Sequence, residues 1–195
     1  MKKTAAFIVT APLASSALFG FSPAITAHAI TKTAAEQSIP QGPQAALNSI
    51  YKLANKGQMP YYAEGLKIGV QTKKDVHHKL GQPYPETGQS GFDLYHAEMG
   101  NPGFAFHYDK KGKIDEMRYF GTNVEKETNI GGMTPSLLKK QLGSADSVST
   151  IPQTKEKKYV YRTGDYELEF IVGHDPDINQ HELTVLHINL IKADS

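Results

Sequence analysis

The segment Ile68-Gly69-Val70-Gln71-Thr72, running on to Leu80-Gly81, returns sixty-two residues later as Ile130-Gly131-Gly132-Met133-Thr134, running on to Leu142-Gly143. A constant offset shared by Ile, Gly, Thr, Leu and Gly marks an internal repeat, and a repeat limits the chain to folds in which two like units bury a common face. Each shared residue has a physical reason for its place. Thr72 and Thr134 precede helical spacing and stand where a hydroxyl accepts from the free N–H groups of a first turn. Asp75 lies three residues after Thr72, where a capping box puts its acid. Pro135 takes a first helical position and Gly81 and Gly143 the exits. Val76 with Leu80, and Leu138 with Leu142, fall on one face of each helix.

Strand character follows each helix. Phe92 to Glu98, Phe104 to Tyr108 and Ile114 to Phe120 form the first set, the last two joined by the turn Asp109-Lys110-Lys111-Gly112. The second set is Lys158 to Arg162, Tyr166 to Val172 and Glu182 to Ile191. Tyr159, Tyr161, Leu168, Phe170, Leu183 and Val185, then after a bulge Ile188 and Leu190, alternate as the inner side of an antiparallel sheet, with Arg162, Glu167 and Glu169 facing water. Ahead of the repeat, Pro43 opens a helix over 44–56 whose Ala46, Leu47, Ile50, Leu53 and Ala54 make an apolar stripe closed by Gly57. The predicted class is α+β: two tandem units of a helix plus a three-stranded antiparallel meander, about 43–125 and 126–195, in a single domain over 43–195 with an additional N-terminal helix.

Ile68-Gly69, Thr72, Val76, Leu80-Gly81 and Pro83, followed by a meander and then repeated, resemble the tandem units of the β-lactamase-inhibitor-protein fold and of small lipoproteins of outer-membrane assembly. From Pro43 onward the chain is similar, more narrowly, to the YjgB-like family, a domain of unknown function in exported bacterial proteins. The resemblance includes Tyr51, Leu53, Ala54 and Gly57 of the first helix. It implies a fold and an extracytoplasmic address without implying an activity. The second unit departs from the first in having Ala145 where Pro83 maps, so its helix is expected to exit differently.

Met1-Lys2-Lys3, the apolar run from Ala5 to Phe21 and Ala27-His28-Ala29 have the order of a signal peptide over 1–29, cleaved before Ile30. Pro12, Ser15-Ser16 and Gly20 interrupt the run, against a spanning anchor. Residues 30–42, rich in Thr, Ala, Gln and Ser and ending Pro40-Gln41-Gly42, read as a flexible tether. The whole chain carries a formal charge of +1, and loss of Lys2 and Lys3 with the leader leaves −1. So small a surplus argues against nucleic acid as partner. The absence of cysteine excludes disulfides, thiolate metal sites, thiol catalysis and a lipid on an N-terminal cysteine, so the cleaved product is expected to be free of a membrane anchor.

No catalytic motif, cofactor site or complete metal site is legible. His77-His78 diverge by about 100° on a helix, and His96 with Glu98, or His107 with Asp109, offers only two ligands. Asp175, Asp177 and Asn179 imitate half a calcium loop, but Gln180 and Leu186 stand where it needs Gly and Glu. The candidate partner-binding residues are Tyr61 and Tyr62, ahead of the first repeat helix, and Tyr84, in a glycine-bearing loop after it, because exposed aromatics on such edges are contact residues. These features predict a secreted, non-enzymatic envelope or extracellular module that binds a protein or glycan. The alternative is an exported hydrolase or lyase acting on cell-wall or exopolysaccharide through Asp115, Glu116, Glu167 or Glu169.

Overall fold

A computed structural model describes residues 42–85, 91–122, 125, 128–175 and 182–193, all within one compact unit. The expected signal peptide, nearly all of the tether, and Asp177 and Asn179 lie outside the described residues. Helix α1 (Pro43–Ala54) begins with its proline and buries Ala46, Leu47, Ile50 and Ala54. It ends before Gly57, whose φ of 70° is left-handed and against which a Cβ would run into the Tyr166 ring; glycine is the residue that fits there. A 3₁₀ turn (Tyr61–Ala63) follows, then α2 (Lys73–Leu80), β1 (Asp93–Tyr95), β2 (Gly103–Tyr108) and β3 (Ile114–Gly121). Next come α3 (Pro135–Leu142), β4 (Ser147–Thr150), β5 (Lys157–Thr163), β6 (Tyr166–His174) and β7 (Leu183–Lys192). The class is therefore α+β, as expected.

The seven strands form one antiparallel sheet in the order β1-β2-β3-β7-β6-β5-β4. Period-two alternation divides its side chains. Phe104, Phe106, Met117, Tyr119, Leu168, Phe170, Ile188 and Leu190 join the helices in the main core, with α1 over β6 and α3 over β7. On the other face Val160, Glu169, Asn189, Arg118, Ala105 and Leu94 stand in one cross-strand row. The expected bulge is present, since the β6–β7 register shifts between Ile171 and Val172 and leaves Leu186 unpaired.

Three expectations need correction. Glu169 does not face water: it is buried, accepting from Lys158 Nζ at 2.6 Å and Asn189 Nδ2 at 3.1 Å. The fully buried residues of α2 and α3 are Val76 and Leu138, whereas Leu80 and Leu142, in the last turns, are only partly covered. Despite Ala145, the second helix exits as the first does, Gly81 at φ 84° and Gly143 at φ 85°. The chains part later, where β4 adds an unforeseen edge strand exposed at all four residues. Among the described residues no helix is long and apolar enough to cross a membrane.

Candidate functional site

The site grows from the exit of α2. Thr72 and Asp75 form a complete capping box, with Thr72 N–H donating to Asp75 at 2.8 Å, and this reciprocal satisfaction of free donors fixes where the helix starts. At its other end Gly81 reverses the chain, so that Gln82, Pro83 and Tyr84 run back along β1 and Tyr84 N–H donates to Leu94 O at 3.0 Å. The Tyr95 hydroxyl donates to Gly81 O at 3.0 Å, and burial, with Asp93 nearby, pushes the phenol up to about 12. Glu98 and Asn101 exchange backbone hydrogen bonds of 3.1 and 2.8 Å around Met99-Gly100. Both loop residues have positive φ, 50° and 80°, as a type I′ turn requires. Glycine takes that conformation freely, whereas methionine is strained there by about 1–3 kcal/mol, and Met99 is 93% exposed.

These segments, with Tyr62 from the 3₁₀ turn, enclose a groove of about 570 Å³, a size typical of ligand sites. Tyr62, Tyr84, Tyr95 and Met99 supply apolar surface, and Gln82, Glu98 and Asn101 supply hydrogen-bonding groups. The Tyr84 ring meets His96 edge-on with centroids 4.3 Å apart, and its hydroxyl approaches Glu98 at 3.4 Å. Two of the three predicted contact residues, Tyr62 and Tyr84, therefore share one groove. Tyr61 does not line it: with φ 62° its ring turns inward and stacks on Tyr119 at 5.9 Å.

Beneath the outer face of α2 lies a polar cluster that no motif announces. Asp93, its side chain only 8% exposed, accepts from Lys73 Nζ at 3.0 Å, His77 Nε2 at 2.7 Å and Tyr108 OH at 3.0 Å. Burial alone would raise this carboxyl, but the hydrogen bonds from His77, Lys73 and Tyr108 outweigh it and hold Asp93 below the ordinary carboxylate value. Burial and the same carboxylate push the Tyr108 phenol up, so Tyr108 stays a hydrogen-bond donor.

The other sequence candidates are scattered. His78 is exposed on α2. His107 pairs with Asp115 at 2.7 Å, while Asp109 accepts the N–H groups of Lys111 and Lys113 inside its turn. Glu116 pairs with Arg118 at 2.7 Å, Glu167 with Arg162 at 3.0 Å and Glu169 with Lys158 at 2.6 Å. The four carboxylates of the hydrolase alternative are thus each held by a basic side chain, and none lines the groove. Among the described residues no group of three or more His, Asp or Glu is disposed to hold a metal.

An antiparallel sheet with its helices packed on one face and a tyrosine-lined groove beside α2 defines an α+β domain. The model of a domain of unknown function (DUF4309) matches residues 47–191, and the chain belongs to that family. It is 44% identical over 196 residues to the uncharacterized protein YjgB of Bacillus subtilis (strain 168), covering 97% of this chain and 98% of the relative. The crystal structure of YjgB, a DUF4309 family protein from B. subtilis subsp. subtilis str. 168, is similar with a TM-score of 0.68 at 46% identity, covering 78% of this chain and 98% of that one. The expected YjgB-like membership is borne out.

Proposed function

We infer that this chain is an exported, non-enzymatic module of the cell envelope or extracellular medium, made of two tandem helix-plus-meander repeats, that binds a protein or glycan partner in the groove beside α2. The observation that carries the reading is the convergence of Tyr62, Tyr84 and the exposed, strained Met99 on one groove. A solvent-facing methionine in a left-handed turn opposes folding, and such strain collects at ligand-contact sites.

Support for the repeat goes beyond the helix caps. Tyr95 donates to the Gly81 carbonyl and meets Phe106 edge-on at 5.9 Å and 80°. Tyr161 stands in the same relation to the Gly143 carbonyl and to Phe170, at 5.6 Å and 89°. The leader-like order of Met1 to Ala29 supports export. The hydrolase alternative gains nothing from four carboxylates each paired with a neighbouring side chain. Partner capture by the chain from Ile30 onward, compared with its Tyr62→Ala/Tyr84→Ala variant, tests the groove. Loss of the captured species in the variant is expected, and equal capture by both would refute the assignment.

A further inference from the structure

The groove continues onto α2. Gln82 lines both the groove and a shallow depression on the outer face of the helix, whose other walls are Lys73, Lys74, His77 and His78. At the far end of α2 the β2–β3 turn is fastened to the helix start. Lys73 N–H donates to Gly112 O at 2.9 Å, Ile114 N–H to Gln71 O at 2.9 Å and Lys113 Nζ to Gly69 O at 3.1 Å. Those bonds set the turn that carries Lys110 and Lys111, both exposed, against the start of α2, where Lys73 and Lys74 stand, while Lys79 stands at the groove end of the same helix. The path along the helix is about 12 Å long, eight residues at 1.5 Å each.

The acids on this path are already engaged. Asp75 accepts from the Thr72 N–H and hydroxyl at its cap, Asp109 from the backbone of its turn, and Asp93 from Lys73, His77 and Tyr108 beneath the helix. Lys73, Lys74, Lys79, Lys110 and Lys111 therefore make a basic stripe that ends in a tyrosine groove.

We propose that this continuous surface binds an acidic polysaccharide, one whose carboxylates are separated by neutral, hydroxyl-rich sugar units. The proposal rests on the groove reading above and names the class of its partner. Lysine is a flexible point charge without the fixed fork that arginine offers to phosphate, so a row of lysines suits carboxylates spaced along a chain. The groove has the complementary character. Its tyrosines offer flat surfaces to ring carbons, and Gln82 and Asn101 offer amides to hydroxyls. Glu98 sharpens the choice: its carboxylate accepts from neutral hydroxyls but repels a polymer charged at every unit, such as a polyglutamate peptide or a nucleic acid strand.

The probes are hyaluronan and unsulfated chondroitin oligosaccharides, both alternating uronate with a neutral amino sugar. They are compared by titration calorimetry with a chitin oligosaccharide of equal length and with polyglutamate. Binding of at least one alternating glycan, weakening as salt rises, is expected, with the neutral and the fully charged chains at least about tenfold weaker, a factor worth about 1.4 kcal/mol. Tyr84→Ala should cost the alternating glycan about tenfold. Lys74→Gln/Lys79→Gln/Lys111→Gln should cost a similar factor and flatten the salt dependence, with an unchanged urea midpoint showing that the fold persists. Failure of both alternating glycans, equal binding of polyglutamate, or an unaltered salt slope in the lysine variant overturns the proposal. If partner capture still depends on Tyr62 and Tyr84 after such a failure, the groove reading stands and only the polysaccharide falls.

Discussion

Helices α2 and α3 have the same length, the same threonine cap and the same glycine exit, yet different forces hold them to the sheet. The α3 helix presents Leu137, Leu138 and Leu142 to the core. The α2 helix presents Val76 and part of Leu80 and is completed by the Lys73–Asp93–His77 clamp. The sixty-two-residue offset explains the divergence. Pro135 stands where Lys73 does, Lys139 where His77 does and Leu137 where Asp75 does, so α3 loses the Lys73 donor of the clamp and gains a leucine. One helix is fixed by apolar area, which tolerates small displacements. The other is fixed by directional bonds, which define one seating and leave its outer face free to stay basic.

The largest expected contrast between the two helices lies in the core. Leu138→Ala should destabilise the protein by about 2–5 kcal/mol, the range for a buried leucine, and Val76→Ala by about 1–3 kcal/mol, because fewer methyl groups are lost. Urea denaturation measures both, and a larger loss at Val76 would reverse the assignment of apolar docking to α3. Next in size is a pH effect at β7, the strand under α3. Burial lowers the His187 pKa to about 4 from an ordinary 6.5, so the unfolded chain takes up the proton first and stability falls as pH drops through that window, by up to about 3 kcal/mol. His187→Gln should flatten the profile there.

The clamp should respond in a different range. Asp93→Ala should cost about 2–3 kcal/mol at neutral pH through lost hydrogen bonds to a buried carboxylate. Lys139→Ala, at the α3 counterpart of His77, should stay within about 0.5 kcal/mol. Because the Asp93 carboxyl lies below its ordinary value of 3.8, its contribution is present above that value and is lost as pH falls through the lower, folded one. The gap between wild type and Asp93→Asn should therefore close only in strong acid, and a gap that closes above pH 3.8 as the solution is acidified would overturn the assignment of a carboxyl held ionised by its donors. The smallest contrast lies at the helix ends. Leu80→Ala and Leu142→Ala should each cost about 1–2 kcal/mol, reflecting partial burial, against about 0.5 kcal/mol or less for Lys79→Ala. Chemical denaturation of the three variants measures the difference, and costs for either leucine equal to that of Lys79 would mean that the last turns contribute no packing.

What was legible in the sequence was local or periodic. Caps, glycine exits and alternating strands depend on residues a few positions apart, and α2, α3 and five of the seven strands lie close to their expected bounds, while β1 keeps only Asp93–Tyr95 of the expected Phe92 to Glu98. Strand β4 escaped because Ser147–Thr150 is exposed throughout and has no alternation to read. The clamp joins residues sixteen and twenty positions apart, and the groove draws on Tyr62, Lys79 to Tyr84 and Tyr95 to Asn101. Neither leaves a pattern within a single window. Tyr61 and Tyr62 are neighbours in sequence, but a left-handed backbone at Tyr61 sends one ring to the core and leaves the other at the groove. For the Met99-Gly100 turn a glycine was the available signal, but methionine obscured it where asparagine or aspartate is usual.

The strand order carries a kinetic consequence. The strand latest in chain order, β7, lies between β3 and β6, so β1-β2-β3 and β4-β5-β6 are two ribbons, each local in sequence, whose inner edges are covered by the same strand. Closing the β3–β7 ladder joins Met117 to Leu190 across α3 and β4 to β6, a contact of high sequence separation of the kind that slows folding. Until β7 docks, both inner edges remain open to pairing with other chains. The most hazardous moment for this molecule is the interval before its last strand is inserted, and an agent that holds β7 away from the sheet would arrest both ribbons together.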